Sequence, residues 1–104
     1  MKQLTIVVKP FRAEAVLRAV DELGVDACVV REAKGYGRQK SYLERYAGSE
    51  YSLAFLPKVE ITVWVADERA NEVAERMVKV ARTGRIGDGK VFVVDCPLLA
   101  TLEF

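Results

Sequence analysis

Residues Gln3 to Val8 are apolar and rich in β-branched side chains, a strand pattern that Pro10 brings to a stop. Behind it Ala13, Val16, Leu17, Val20 and Leu23 recur at helical spacing, and Gly24 predicts the end of that helix. A valine-rich second strand is expected from about Asp26 into Lys34, closing at the Gly35-Tyr36-Gly37 turn signal. The third strand is the clearest, because Val59, Ile61, Val63 and Val65 alternate with Glu60, Thr62, Trp64 and Ala66. One of its faces is core and the other is mixed. From Asp67 a helix with an acidic first turn follows, with Ala70, Val73, Ala74, Met77, Val78 and Ala81 as its apolar stripe. After a glycine-rich turn, Lys90 to Val94 reads as a fourth strand, and Pro97 opens a short apolar tail that ends at Phe104.

The order βαββαβ over residues 1–104 predicts a single α+β domain. Two right-handed βαβ halves build a ferredoxin-like sandwich, a four-stranded antiparallel sheet with both helices on one face. The other face is left bare. Carrying Thr62, Trp64 and other mixed residues, it is expected to meet a second subunit, and a homo-oligomer follows.

Composition narrows the chemistry. Sixteen basic residues against fifteen acidic give a net charge of +1, which removes the broad electrostatic basis for gripping nucleic acid or an anionic membrane. The chain has no histidine, which excludes imidazole bases and every histidine-bearing metal site. Cys28 and Cys96 lie far apart without CxxC spacing, each in an apolar run, and are expected to be reduced and buried. The apolar run Leu4 to Val8 is too short for a signal-peptide core or a membrane span, so a cytoplasmic protein is expected.

Candidate chemistry gathers in three places. About twenty residues separate Gly37 from Pro57, a length that compact domains reserve for functional or disordered loops, and they mix charges with Tyr42, Tyr46 and Tyr51. Such a composition suits docking on partners. The second place is Arg82-Thr83-Gly84-Arg85-Ile86-Gly87-Asp88-Gly89-Lys90, whose glycines let backbone N–H groups converge beside three cations, an arrangement for an anion such as phosphate. This turn runs from helix to strand, unlike a Walker loop, and an ordinary glycine-punctuated connection has a similar pattern. The third is Lys58, placed at the root of the long segment opposite Gln39. The pair suits a small carboxylate, with the glutamine oxygen as a ligand for a hard cation, while solvated surface residues are the default reading.

Read together, Lys9-Pro10-Phe11, Lys34-Gly35-Tyr36-Gly37-Arg38-Gln39-Lys40, Glu44-Arg45-Tyr46, Gly48-Ser49-Glu50-Tyr51, Phe55-Leu56-Pro57-Lys58-Val59 and Ala81 through Val93 resemble the PII signal-transduction proteins, in register over nearly the whole chain. The resemblance implies a non-enzymatic regulator: a homotrimer with ATP or ADP in each cleft between subunits. It implies a mobile T-loop, about residues 37–55, that docks on enzymes, transcription regulators and ammonium channels, so that a membrane is met only through a channel partner. It assigns the nucleotide to Gly35, Gly37, Arg38, Gly87, Asp88, Gly89 and Lys90. With Mg-ATP bound, it assigns 2-oxoglutarate to Gln39 and Lys58, the keto and carboxylate oxygens of 2-oxoglutarate completing the metal shell, with Gln39 as the residue at the metal. Tyr51 matches a tyrosine that is uridylylated in some relatives, and Ser49 a serine phosphorylated in others; either modification adds anionic charge.

Departures from the family pattern bear on the ligand. The family commonly has Thr at the position of Val29 and Glu at that of Thr62, both toward the adenine and ribose, and two arginines at the positions of Thr101 and Glu103. Hydrogen bonds to charged groups are worth roughly 1.5–3 kcal/mol each, so ATP is expected to bind more weakly unless Arg82, Arg85 or a tail contact compensates. Ala47 stands where the loop signature is usually basic. The alternative is therefore a divergent PII-like sensor of AMP or ADP with bicarbonate or another small anion. An RNA-binding module shares the element order but reads RNA with strand aromatics, of which Trp64 alone qualifies. An acylphosphatase-like enzyme needs its anion-binding arginine after the first strand, whereas Arg38 and Gln39 follow the second.

Overall fold

The computed structural model describes residues 1–25, 28–35, 56–85 and 88–97. Strand β1 (Lys2–Val8) leads into helix α1 (Pro10–Glu22), followed by β2 (Cys28–Gly35) and β3 (Leu56–Val65). A 3-10 turn (Asp67–Arg69) opens α2 (Ala70–Ala81), and β4 (Gly89–Asp95) completes the sheet. The strand order is β2-β3-β1-β4 with every neighbouring pair antiparallel, the ferredoxin-like arrangement expected from the element order.

Alternation decides which side chains meet the helices. Leu4, Ile6 and Val8 of β1 and Ile61, Val63 and Val65 of β3 face one side and form a single core with Val16 and Val20 of α1 and Val73, Met77 and Ala81 of α2. Cover is deepest over the two central strands. On the same side of the outer strands, Val30 of β2 is 49% exposed and Val93 of β4 is 57% exposed, so both sheet edges extend past the helices. Leu23 N–H closes on the Ala19 carbonyl at 3.0 Å, and Gly24 follows at φ 71°, the left-handed position that ends α1 as expected.

The element boundaries carry three refinements. Helix α1 begins at Pro10, because a proline has the right φ for the first helical position and lacks an N–H that would be orphaned there. Strand β3 starts at Leu56 and takes in Pro57 and Lys58, upstream of the alternating run. Pairing with β1 begins only at Val59, so Pro57 sits where β3 has a partner on one side alone. The second helical segment opens with the 3-10 turn before α2 proper. One expectation is overturned: Cys28 is exposed and Cys96 is half-buried. Cys28 starts an outer strand beyond the helix cover, and Cys96 lies one residue past the end of β4.

Candidate functional site

The charged residues singled out in the sequence meet at one end of the sheet. Val8 pairs with Val59 on one side and Gly89 on the other, so Lys9, Lys58 and Asp88 each lie one residue beyond those pairs. Lys9 Nζ donates to Asp88 Oδ1 at 3.2 Å. Lys58 is only 6% exposed, and burial pushes its ammonium below the ordinary lysine range. The neighbouring Lys9 charge lowers it further, while Asp88 opposes both. The expectation of a solvated lysine is corrected: Lys58 is buried and pairs in register with Ala33 of β2, while Gln39 lies outside the described residues.

Asp88 organises the turn before β4. Its Oδ2 accepts the N–H of Thr83 at 2.7 Å, of Gly84 at 2.9 Å and of Arg85 at 3.3 Å. Its Oδ1 accepts the Thr83 hydroxyl as well as Lys9. The Thr83 hydroxyl, then the converging amides and Lys9, hold this carboxyl far below the usual carboxylate range. Backbone N–H groups do converge in the glycine-rich turn, and the anion that they meet is the chain's own. Around them Arg82, Arg85 and Lys90 remain exposed cations.

Beneath the turn, on the helix side of the sheet, a cavity of about 130 Å³ opens between α2 and β4, with Ile6, Val8, Val78 and Val91 as its apolar lining and Arg82, Asp88 and Lys90 on its walls. Gly89 lies on the same wall, with its backbone against β1. A Cβ there would run into the Val7 carbonyl oxygen and come within 3.5 Å of Val8 Cα, so this position needs glycine for close approach.

The face away from the helices is graded. Glu60, Val7 and Lys90 form one row by register, and Val29, Thr62, Thr5 and Phe92 form the next. Thr5 and Thr62 share a hydrogen bond between hydroxyls at 2.9 Å, and Trp64 Nε1 donates to Gln3 Oε1 at 3.1 Å. Phe92 is 52% exposed and Val94 48%, leaving an apolar stretch beside the charged end.

The sequence of the family described as Nitrogen regulatory protein P-II matches residues 1–99. The chain belongs to the P-II family. Among its relatives, the Nitrogen regulatory protein GlnK of Escherichia coli (strain K12) is 48% identical over 95 residues, covering 91% of this chain and 85% of that protein. A Nitrogen regulatory protein P-II of Rhizobium meliloti (strain 1021) is 50% identical over 93 residues, covering 89% and 83%. The P-II 1 protein of Escherichia coli (strain K12) is 43% identical over 95 residues, covering 91% and 85%.

Of the residues that the P-II pattern implicates, Lys58, Asp88, Gly89 and Lys90 come together at one end of the sheet, and Gly35 closes β2 opposite Leu56. Gly37, Arg38, Gln39, Ala47, Ser49, Tyr51, Gly87, Thr101 and Glu103 lie outside the described residues. Among the described residues no group of three or more acidic or cysteine side chains is gathered to hold a metal ion, and no helix is long and apolar enough to cross a membrane. Sequence reasoning placed Thr83 in the glycine-rich turn but missed its bonds to Asp88, whose signal is local, since the Thr83 and Gly84 amides lie within reach of an aspartate a few residues on. It missed Lys9 as part of this site, and no local pattern marks it.

Proposed function

We propose that this P-II chain is a trimeric signal-transduction regulator that binds ATP or ADP at clefts between subunits and controls enzymes, transcription regulators or ammonium channels of nitrogen and carbon metabolism. The observation that carries the reading is the gathering of Lys9, Lys58 and Lys90 around a turn prefolded on Asp88. Together they make a cationic end on a sheet whose open face also carries the exposed apolar Phe92 and Val94. Phosphates of the nucleotide meet Gly87, Gly89 and Lys90, with Gly35, Gly37 and Arg38 completing the site; Asp88 acts by shaping the turn. Lys58 and Gln39 take 2-oxoglutarate, and a divalent cation arrives with the nucleotide as Mg-ATP, held by the ligand's own phosphate oxygens and Gln39.

Assembly follows from exposed area. Phe92, Val94 and Val29 are 52%, 48% and 37% exposed, so covering them between copies of the chain is worth about half or less of the roughly 1.5–3 kcal/mol of a full side-chain burial, which still favours association through the open face. Occupancy of the cleft then biases the T-loop of residues 37–55 between arrangements with different affinity for a partner. Tyr51 and Ser49 are the positions where added anionic charge would change that docking.

One observation favours the second reading, a sensor of AMP or ADP with bicarbonate or another small anion. Val29 stands opposite Thr62 in the register, and the Thr62 hydroxyl is already engaged by Thr5. Two positions where the family pattern has polar side chains toward the adenine and ribose thus carry a valine and a hydroxyl shared with Thr5. Titration calorimetry with ATP, ADP and AMP, with and without Mg2+ and 2-oxoglutarate or bicarbonate, on protein of measured solution mass, tests both. Binding of ATP strengthened by 2-oxoglutarate supports the first reading. A preference for AMP or ADP with a bicarbonate response supports the second, and no adenine nucleotide binding rejects both.

A further inference from the structure

The connection from α2 to β4 has a cavity of about 130 Å³ beside it, with Arg82 and Asp88 in the lining. The hydrogen bonds that shape the connection converge on one carboxylate: Thr83, Gly84 and Arg85 give it their N–H groups, Thr83 its hydroxyl, and Lys9 its ammonium from the β1–α1 junction. Charge-assisted bonds of this kind are the strong ones, and five donors on one side chain leave it little freedom. Gly89, the next residue, is fixed in its turn against the Val7 carbonyl.

We propose that Asp88 is a positioning residue for phosphate recognition, an internal anion that folds the turn before ligand arrives and pins it to Lys9. The proposal rests on the nucleotide reading above and gives the Asp88 side chain a role separate from ligand contact. Two consequences separate it from simple contact with the nucleotide. The N–H cluster of residues 83–85 is closed to ligand phosphate, so the nucleotide is left with Gly89, Lys90 and their neighbours. The turn also arrives prefolded, so its ordering cost falls on folding and not on binding.

The test uses the full-length chain, with Asp88→Ala, Asp88→Asn and Lys9→Met beside wild type. Amide exchange without nucleotide reads the clasp directly: protected N–H groups at Thr83, Gly84 and Arg85 in wild type, and fast exchange at the same three in Asp88→Ala, with β1 and β3 unchanged. Calorimetry with ADP and with adenosine reads the link to ligand. ADP affinity is expected to fall at least about tenfold in Asp88→Ala, less in Asp88→Asn, while adenosine affinity holds. Formate, a carboxylate small enough for the vacated position, is expected to restore part of the ADP affinity of Asp88→Ala and to leave wild type unchanged. A variant that merely destabilised the fold would lose adenosine with ADP and would ignore formate. Equal exchange at the three amides in wild type and Asp88→Ala, or unchanged ADP affinity in Asp88→Ala, overturns the proposal. Wild type that binds no ADP while its three amides remain clasped overturns the nucleotide reading instead.

Discussion

Gly89 approaches the backbone of Val7 so closely that no side chain has room between them. The contact locks the start of β4 to the end of β1 at the point where the Asp88 turn joins the sheet. Gly89→Ala places a methyl group against the Val7 carbonyl oxygen, which nothing but backbone movement relieves. A loss of roughly 1–3 kcal/mol in unfolding free energy is expected, together with weakened ADP binding. Urea unfolding and calorimetry on the same variant check the two effects.

The acid limb of the stability curve should report Asp88. Its carboxyl is held below its ordinary value by the Thr83 hydroxyl first, then by the turn amides and Lys9, so the folded state binds fewer protons than the unfolded chain. The resulting stabilisation is complete above the unfolded pKa, near 4, and is lost as pH falls from there toward the depressed folded value. Thermal unfolding should show wild type well above Asp88→Asn at pH 7, with the gap closing below about pH 4. A gap independent of pH would contradict the ion-pair account.

Lys58 gives a slope of the same sign in a higher pH window. Burial and then Lys9 lower its pKa, so between that value and its ordinary one the unfolded chain binds more protons and stability rises with pH. Lys9→Met should raise the Lys58 pKa and Asp88→Asn should lower it. NMR titration of the Lys58 ε-methylene reads both shifts.

Much of the fold was legible because burial on one face of β1 and β3 writes a period of two into the chain, and the stripe Val73, Met77 and Ala81 writes a helical one. The site was legible only in part. Lys9 and Asp88 are separated by 79 positions and meet through the β1–β4 register, which no local pattern encodes. Lys58 read as a solvated lysine, since its burial comes from neighbours that only the fold supplies. The cysteines misled for a related reason: apolar runs mark strands, but Cys28 starts an outer strand and Cys96 lies one residue past β4.

The open face offers a local energetic test. Thr5 and Thr62 satisfy each other's hydroxyls, so removing either alone strands its partner, while removing both does not. Thr5→Val or Thr62→Val is expected to cost about 1 kcal/mol, and the double variant less than the sum. A double-mutant cycle by chemical unfolding gives the coupling, and strict additivity would argue against the bond.

Phe92 tests assembly through the same face. Half exposed in the single chain, it is expected to be covered in the trimer, so Phe92→Asp should release monomers or dimers at micromolar concentration. Light scattering behind size-exclusion chromatography distinguishes the species, and an unaltered trimer would move the interface elsewhere.

Native mass spectrometry with ADP and ATP addresses the whole reading at once, because it counts chains and ligands in the same particle. Three chains carrying up to three nucleotides, with Lys90→Ala trimers losing the ligand, is the predicted spectrum. Single chains that take up neither nucleotide would contradict it.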